Sequence, residues 1–153
     1  MIRAGGGCLL LKLVNYCTTH GLLGLEFAVG IPGSIGGAVV MNAGAWGCEI
    51  RDVIDSITLM DRSGKVYAQR GEKLGFTYRG WRMAPDVLLL SATFALTLGD
   101  REEIKAACKR FQELRKKNQP VTEPSAGCFF KNPPEDSAGR LIDQAGLKGF
   151  SVG

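Results

Sequence analysis

The sequence predicts an α+β fold. Apolar residues recur at helical spacing in blocks at either side of the chain, and strand-like runs fill the block between them. A composition of 45% hydrophobic against 22% charged residues over 153 positions is enough for a sizeable core and is not that of a disordered chain. This length suits one or two small domains, or part of one.

Taken in order, Ile2-Arg3-Ala4-Gly5 reads as the tail of a strand already under way. Leu9, Leu10, Leu13, Val14 and Cys17 then share one helical face that stops at His20-Gly21, so residues 8–20 form a helix with a glycine C-cap. Residues 30–47, GIPGSIGGAVVMNAGAWG, place six glycines and one proline in eighteen positions and include a small-residue helix from Ser34 to Met41. VIDSITLM at 53–60 and KVYAQ at 65–69 flank Asp61-Arg62-Ser63-Gly64 as a hairpin, and VLLLSATFALTL at 87–98 reads as one further strand. Asp100, with Glu103 at the capping-box position, opens a helix whose buried stripe is Ile104, Cys108, Phe111 and Leu114, up to the stop at Pro120. Arg115, Lys116 and Lys117 lie in its last turn, where they complement the negative end of the helix dipole or serve a ligand. A short helix near 137–145 follows, and Lys148 to Gly153 reads as a strand or loop entry rather than a domain terminus, the expectation being a fragment.

The glycine-rich segment is the first candidate site. So dense a cluster lets another molecule approach the main chain, and successive N–H groups in such a loop form a concave anion site of the kind that holds pyrophosphates. Neither GxGxxG after a strand nor GxxxxGK[ST] is present, and the same residues also suit a glycine-rich hairpin or a close helix–strand crossing. The net charge of +4 mildly favours anionic ligands, but no basic stripe interleaved with aromatics points to nucleic acid. The five cysteines, at 8, 17, 48, 108 and 128, include no C-x-x-C pair, which suits reduced thiols in a cytosolic protein rather than a disulfide framework or a zinc site. No signal-peptide pattern and no 18-residue apolar stretch occur. Glu26 and Asp52 read as local hydrogen-bonding groups rather than an acid/base pair, and Trp46 and Trp81 as packing residues.

Four segments in order, GLEFAVGIPGSIGGAVVMNAGAWG at 24–47, GFTYRG at 75–80, SAGCFFKNP at 125–133 and AGRLIDQAGLKG at 138–149, resemble the bacterial UDP-N-acetylenolpyruvoylglucosamine reductases (UDP-N-acetylmuramate dehydrogenases), of the more compact type. The resemblance covers nearly the whole chain. It implies part of an FAD-binding domain like that of the vanillyl-alcohol-oxidase (PCMH) flavoproteins at 1–98, with a mixed sheet and helices, and the opening of an α+β substrate-binding domain at 99–153. The implied reaction is NADPH-driven reduction of UDP-N-acetylglucosamine enolpyruvate through FAD in cytoplasmic peptidoglycan synthesis. The partner implied is a small UDP-sugar, without nucleic acid, membrane insertion or a metal; the oligomeric state stays open.

The resemblance also implies roles for residues. Arg79 matches the catalytic arginine, whose planar fork can hold the substrate carboxylate as negative charge develops on it. Cys128 stands where the family usually has a proton-donating serine, and a thiol is the stronger acid. FAD contacts fall on Gly30, Ile31, Pro32, Gly33, Ser34, Ile35, Gly36, Gly37 and Ala38, and on Asn42, Ala43, Gly44 and Ala45, with Ser34 and Asn42 adding side-chain bonds. Tyr78, Arg115, Gln119, Lys131 and Asn132 are candidates for the UDP-sugar. The family's upstream FAD loop and downstream catalytic glutamate have no match here; Asp143 lies too early for the glutamate. Without the resemblance, Arg79 would read as a surface arginine and Cys128 as a small buried hydrophobe. Another flavoenzyme of the same fold, or a non-catalytic nucleotide-binding module, remains the competing expectation.

Overall fold

A computed structural model describes residues 1–119 and 130–152, in two compact units, Met1–Gln119 and Pro120–Gly153. The first unit contains β1 (Ile2–Gly5), α1 (Leu10–His20), β2 (Leu22–Leu23), α2 (Ile35–Val40), β3 (Gly44–Ala45), β4 (Cys48–Glu49), β5 (Ile54–Met60), β6 (Val66–Arg70), β7 (Phe76–Thr77), β8 (Gly80–Trp81), β9 (Leu88–Phe94), β10 (Thr97–Leu98) and α3 (Arg101–Asn118). The second contains α4 (Ala138–Gln144). Helices and strands together make the α+β class expected.

A four-stranded sheet in the order β1-β9-β5-β6 forms the framework. Its ladders are all antiparallel, with Ile2 opposite Phe94 and Ser56 opposite Arg70, so the mixed sheet expected for this part is not formed among the described residues. The connections explain it: β5 and β6 are joined by a tight hairpin, and no helical crossover returns the chain parallel to a neighbouring strand. Asp61 stabilises the hairpin turn, its Oδ1 accepting from the Ser63 and Lys65 amides at 2.9 and 3.1 Å. One face of the sheet, with Ile57, Leu59, Ala92 and Phe94, joins Leu10, Leu13, Val14 and Cys17 of α1 in a single core. A register shift between Ile54 and Ser56 lets Ile54 and Ile57, three residues apart, both be buried.

The sequence and the structure differ at several elements. The run 87–98 is two strands, because after Phe94 the chain leaves the sheet, the Ala95 amide bonds the Val53 carbonyl at 2.8 Å, and Thr97–Leu98 pairs with Leu22–Leu23 instead. Helix α1 begins at Leu10, since Leu9 is occupied in a bridge to Ser34; its C-cap is Gly21 at φ 66° as expected. Asp100 caps α3 by accepting from the Glu102 and Glu103 amides, both at 2.9 Å. Ile104 is buried on that helix, but Leu114 is exposed, so the apolar stripe narrows towards the C-terminus. The first compact unit runs to Gln119, with α3 packed on α1 and on the 3-10 turn Glu26–Ala28. In the second unit Ser137 caps α4 by accepting from the Arg140 amide, and the residues from Lys148 to Val152 form no strand. Among the described residues, no helix is long and apolar enough to cross a membrane.

Candidate functional site

The glycine-rich segment is folded by its own backbone before any ligand is considered. Ser34 caps α2, its Oγ accepting from the Gly37 amide at 3.2 Å, and the Ile35 and Gly36 amides bond the Cys8 and Gly6 carbonyls, both at 2.8 Å. A Cβ on Gly36 would lie 3.1 Å from the Gly6 carbonyl oxygen, so the close crossing that the sequence also allowed is present. The amides of Ile31, Ile35, Gly36, Gly37, Ala38 and Ala43 are thereby bonded to protein acceptors. Side chains of Ile35, Ala38 and Ala43 are core residues.

What remains open is narrower. Among the described residues no hydrogen bond is made by the backbone N–H of Gly30, Gly33 or Ser34. Gly30 and Gly33 are exposed, at φ 74° and 114°, and a Cβ on Gly33 would meet nothing within 4 Å. They border a cavity of about 290 Å³ lined also by Leu9, Leu11, Ile31 and Pro32. Unbonded amides at Gly30 and Gly33 beside this cavity, with that of Ser34 next in sequence, suit a phosphate or another anion. A larger cavity, about 370 Å³, lies beside the hairpin turn at Asp61 and Arg62, where Arg62 is paired with Asp86 and no cation is left for an anionic ligand among the described residues that line it.

Two arginines give this region its sign. Arg115 packs on Gly30, where a Cβ would fall 3.0 Å from its Cδ and 3.1 Å from its Nε, and its Nη1 donates to Gln119 Oε1 at 3.1 Å. Its Nε is buried and unbonded among the described residues. Burial, and secondly the field of Arg79, lower the Arg115 pKa, so the two guanidiniums lie within reach of each other's charge. Among the described residues neither forms an ion pair with a carboxylate. Arg79 occupies the two-residue loop of the β7–β8 hairpin at φ 54°, a left-handed conformation that costs a side-chain-bearing residue about 1–2 kcal/mol, and lies over the Tyr78 ring at 5.8 Å.

Asn42 is engaged within the protein. It is fully buried at φ 41°, its Nδ2 donates to Glu49 Oε2 (2.8 Å) and the Thr77 carbonyl (3.2 Å), and its Oδ1 accepts from the Arg51 amide (3.0 Å). Both donors are spent within the protein, so the side chain has none for a flavin. Gly44 and Ala45 pair with Glu49 and Cys48, and a Cβ on Gly44 would stand 2.6 Å from the Cys48 carbonyl oxygen. Sequence reading missed Glu49 and Thr77, although an asparagine after a helix, where positive φ is tolerated, is a usable signal for such a junction.

Glu26 accepts from the Gly24 amide and Asp52 from the Glu49 amide, the local roles expected. Trp46 stacks on Phe111 at 6.2 Å and Trp81 tilts against Phe76 at 6.3 Å, also as expected for packing residues. In the second unit Asn132 Oδ1 accepts from the Ala138 amide at 3.1 Å, so it orders the start of α4, while Lys131 is exposed. Cys128 lies outside the described residues. Asp143 meets Lys148 at 3.3 Å.

Residues 1–68 match the FAD binding domain family, and residues 119–153 match the family described as UDP-N-acetylenolpyruvoylglucosamine reductase, C-terminal domain. A UDP-N-acetylenolpyruvoylglucosamine reductase of Limosilactobacillus fermentum is 43% identical over 154 residues, covering 100% of this chain and 51% of the relative. One from Rickettsia bellii is 40% identical over 149 residues, covering 97% and 49%. The crystal structure of UDP-N-acetylenolpyruvylglucosamine reductase (MurB) from Thermus caldophilus aligns at a TM-score of 0.89 with 39% identity, covering 99% of this chain and 56% of that one. The chain belongs to the UDP-N-acetylenolpyruvoylglucosamine reductase family. It spans about half the length of the reductases it matches. The match to the reductase C-terminal domain begins at residue 119, beside the division between the two compact units after Gln119.

Proposed function

We propose that this chain is the part of a cytoplasmic bacterial UDP-N-acetylenolpyruvoylglucosamine reductase that contacts FAD and opens the substrate domain, with residues 1–98 as the FAD-binding portion and 99–153 as the start of the UDP-sugar-binding portion. The observation that carries it is the combination of open amides at Gly30, Gly33 and Ser34 with the Arg115 and Arg79 guanidiniums, on a chain of this family. The open rim fits a pyrophosphate, so Gly30, Gly33 and Ser34 would hold FAD by main chain and hydroxyl. Ile31, Pro32, Gly36, Gly37, Gly44 and Ala45 would shape its bed, and Asn42 would act from behind it. Bound FAD would carry two electrons from NADPH to the enolpyruvyl double bond of the substrate.

The chain's own residues then have distinct tasks. Arg79 holds the substrate carboxylate while charge accumulates there; a fixed cation in a site that excludes water stabilises such charge strongly because it does not reorganise. Its positive φ supports this reading, since strain of that kind is retained where it serves a site. Cys128 delivers the proton to the neighbouring carbon. Arg115, with Gln119 bonded to it, offers charge to the UDP phosphates, Tyr78 beside Arg79 faces the sugar, and Lys131 is a separate candidate for the UDP-sugar.

The test separates the two half-reactions in the full-length protein loaded with FAD. NADPH is expected to bleach the flavin and UDP-N-acetylglucosamine enolpyruvate to restore its colour, with Arg79→Ala slowing only the second step. A flavin that NADPH reduces but the UDP-sugar cannot reoxidise would place the chain with another flavoenzyme, and failure to bind FAD would overturn the proposal entirely.

A further inference from the structure

We propose that Asn42 is a positioning residue for Arg79, an inference that rests on the catalytic reading of Arg79 above. The hairpin that presents Arg79 is only Phe76–Thr77 paired with Gly80–Trp81. Strands of two residues do not hold a conformation unaided, and this one carries a left-handed arginine at its tip. Something must fix it from the protein side. Asn42, with no exposed surface, reaches the hairpin through the Thr77 carbonyl, two residues before Arg79, at 3.2 Å.

The other bonds of Asn42 make it a rigid anchor. Its backbone amide ends α2 on the Val39 carbonyl at 3.0 Å, its Oδ1 receives the Arg51 amide, and its Nδ2 also meets Glu49, whose carboxylate is held by Arg51 Nε at 2.9 Å. Glu49 is therefore neutralised within the cluster and does not draw Arg79 away from a substrate. A displacement in the glycine-rich segment is passed by one buried side chain to the loop carrying the guanidinium. The segment that would bed the flavin and the residue that would hold the substrate carboxylate are thus one mechanical piece, which is what a reaction needing both groups in register requires.

The experiment uses the full-length protein with FAD bound and compares Asn42→Ala, Asn42→Asp, Glu49→Gln and Arg79→Ala. Asn42→Ala is expected to slow flavin reoxidation by the UDP-sugar by about 10²-fold, the scale of an ångström misplacement. Reduction by NADPH and FAD affinity should stay within about threefold, a tolerance set well below that effect. Asn42→Asp, which sets a carboxylate against Glu49 and gives the Thr77 carbonyl no donor, should be slower still, while Glu49→Gln, which keeps an acceptor for Asn42, should match the parent. Adding Asn42→Ala to Arg79→Ala should cost nothing more, because both act through one group. Independently of turnover, amide hydrogen exchange at Tyr78, Arg79 and Gly80 should accelerate in Asn42→Ala. Effects that add in full, equal damage to both half-reactions, or loss of FAD would each make Asn42 a purely structural residue and overturn the inference. An Arg79→Ala protein that is reoxidised normally would instead sink the catalytic reading, and the exchange rates would still decide whether Asn42 clasps the hairpin.

Discussion

The adjacent glycines 6 and 7 offer a test in which one substitution has opposite consequences a residue apart. Gly6 is buried at the end of β1, and a Cβ there would lie 2.5 Å from the Leu89 carbonyl oxygen and 3.2 Å from Leu89 Cδ2. The first contact is about 0.9 Å short of ordinary van der Waals distance, against rigid sheet backbone. Relief by moving Gly6 strains two hydrogen bonds of 2.8 Å, from its amide to the Leu90 carbonyl and from the Gly36 amide to its own carbonyl. Overpacking costs about 1–3 kcal/mol and each weakened bond about 0.5–1.5 kcal/mol, so Gly6→Ala should lose about 3 kcal/mol. Gly7 is exposed with nothing within 4 Å of the added atom, and its φ is not left-handed. Gly7→Ala should therefore be neutral or up to about 1 kcal/mol stabilising, through the unfolded chain. Urea unfolding followed by Trp46 and Trp81 emission measures both, with an expected midpoint fall of roughly 1–2 M for Gly6→Ala. Equal midpoints for the two variants would refute the argument that backbone proximity, not glycine flexibility, determines residue 6.

Other outcomes follow from single groups. Ser34→Ala removes the cap on the Gly37 amide and should cost about 1 kcal/mol in the same assay. Arg79→Gly should be more stable than Arg79→Ala by about 1 kcal/mol, because only glycine sits at φ 54° without strain, while both are equally slow in flavin reoxidation. Burial first, then Glu26 and Cys108, push the Cys17 thiol up from 9.0 to about 11, so the folded protein keeps a proton that the unfolded chain loses. Stability should fall as pH rises from about 9 to about 11, and unfolding of Cys17→Ala followed over that range should show a shallower fall. Cys128→Ser should retain turnover in the full-length protein and Cys128→Ala should lose it; an alanine variant with full turnover would remove Cys128 from the mechanism.

How much of this was legible in the chain depends on the reach of the signal. Helix α1, its Gly21 cap, the Asp100 cap and the β5–β6 hairpin rest on neighbours within a few residues, and all are formed, α1 starting two residues later than the spacing puts it. The two-residue strands β2, β3, β4, β7, β8 and β10 are too short to display a period of two, and the apolar letters of Ala95 and Leu96 hide the bend that ends β9. The site divides the same way. Glycine density marks a segment of close backbone contact, but which amides stay open depends on Cys8 and Gly6, far upstream, and the approach of Arg115 to Gly30 spans most of the unit. The partners of Asn42 are not legible locally, since its three side-chain bonds join residues as distant as Thr77.

The order of the sheet also sets a timetable for folding. Strand β9 lies between β1 and β5, yet it is the last of the four to be synthesised, and Ile2 waits for Phe94. At about 5–20 residues per second, the first strand spends about 5–18 s on the ribosome without its partner. The β5–β6 hairpin can close meanwhile on local contacts, but the face that receives α1 is incomplete until β9 emerges and bridges the two halves. A nascent chain halted before Leu88 would hold a hairpin and an orphaned strand, and this interval is when the chain is most open to chaperones and to pairing with a neighbour.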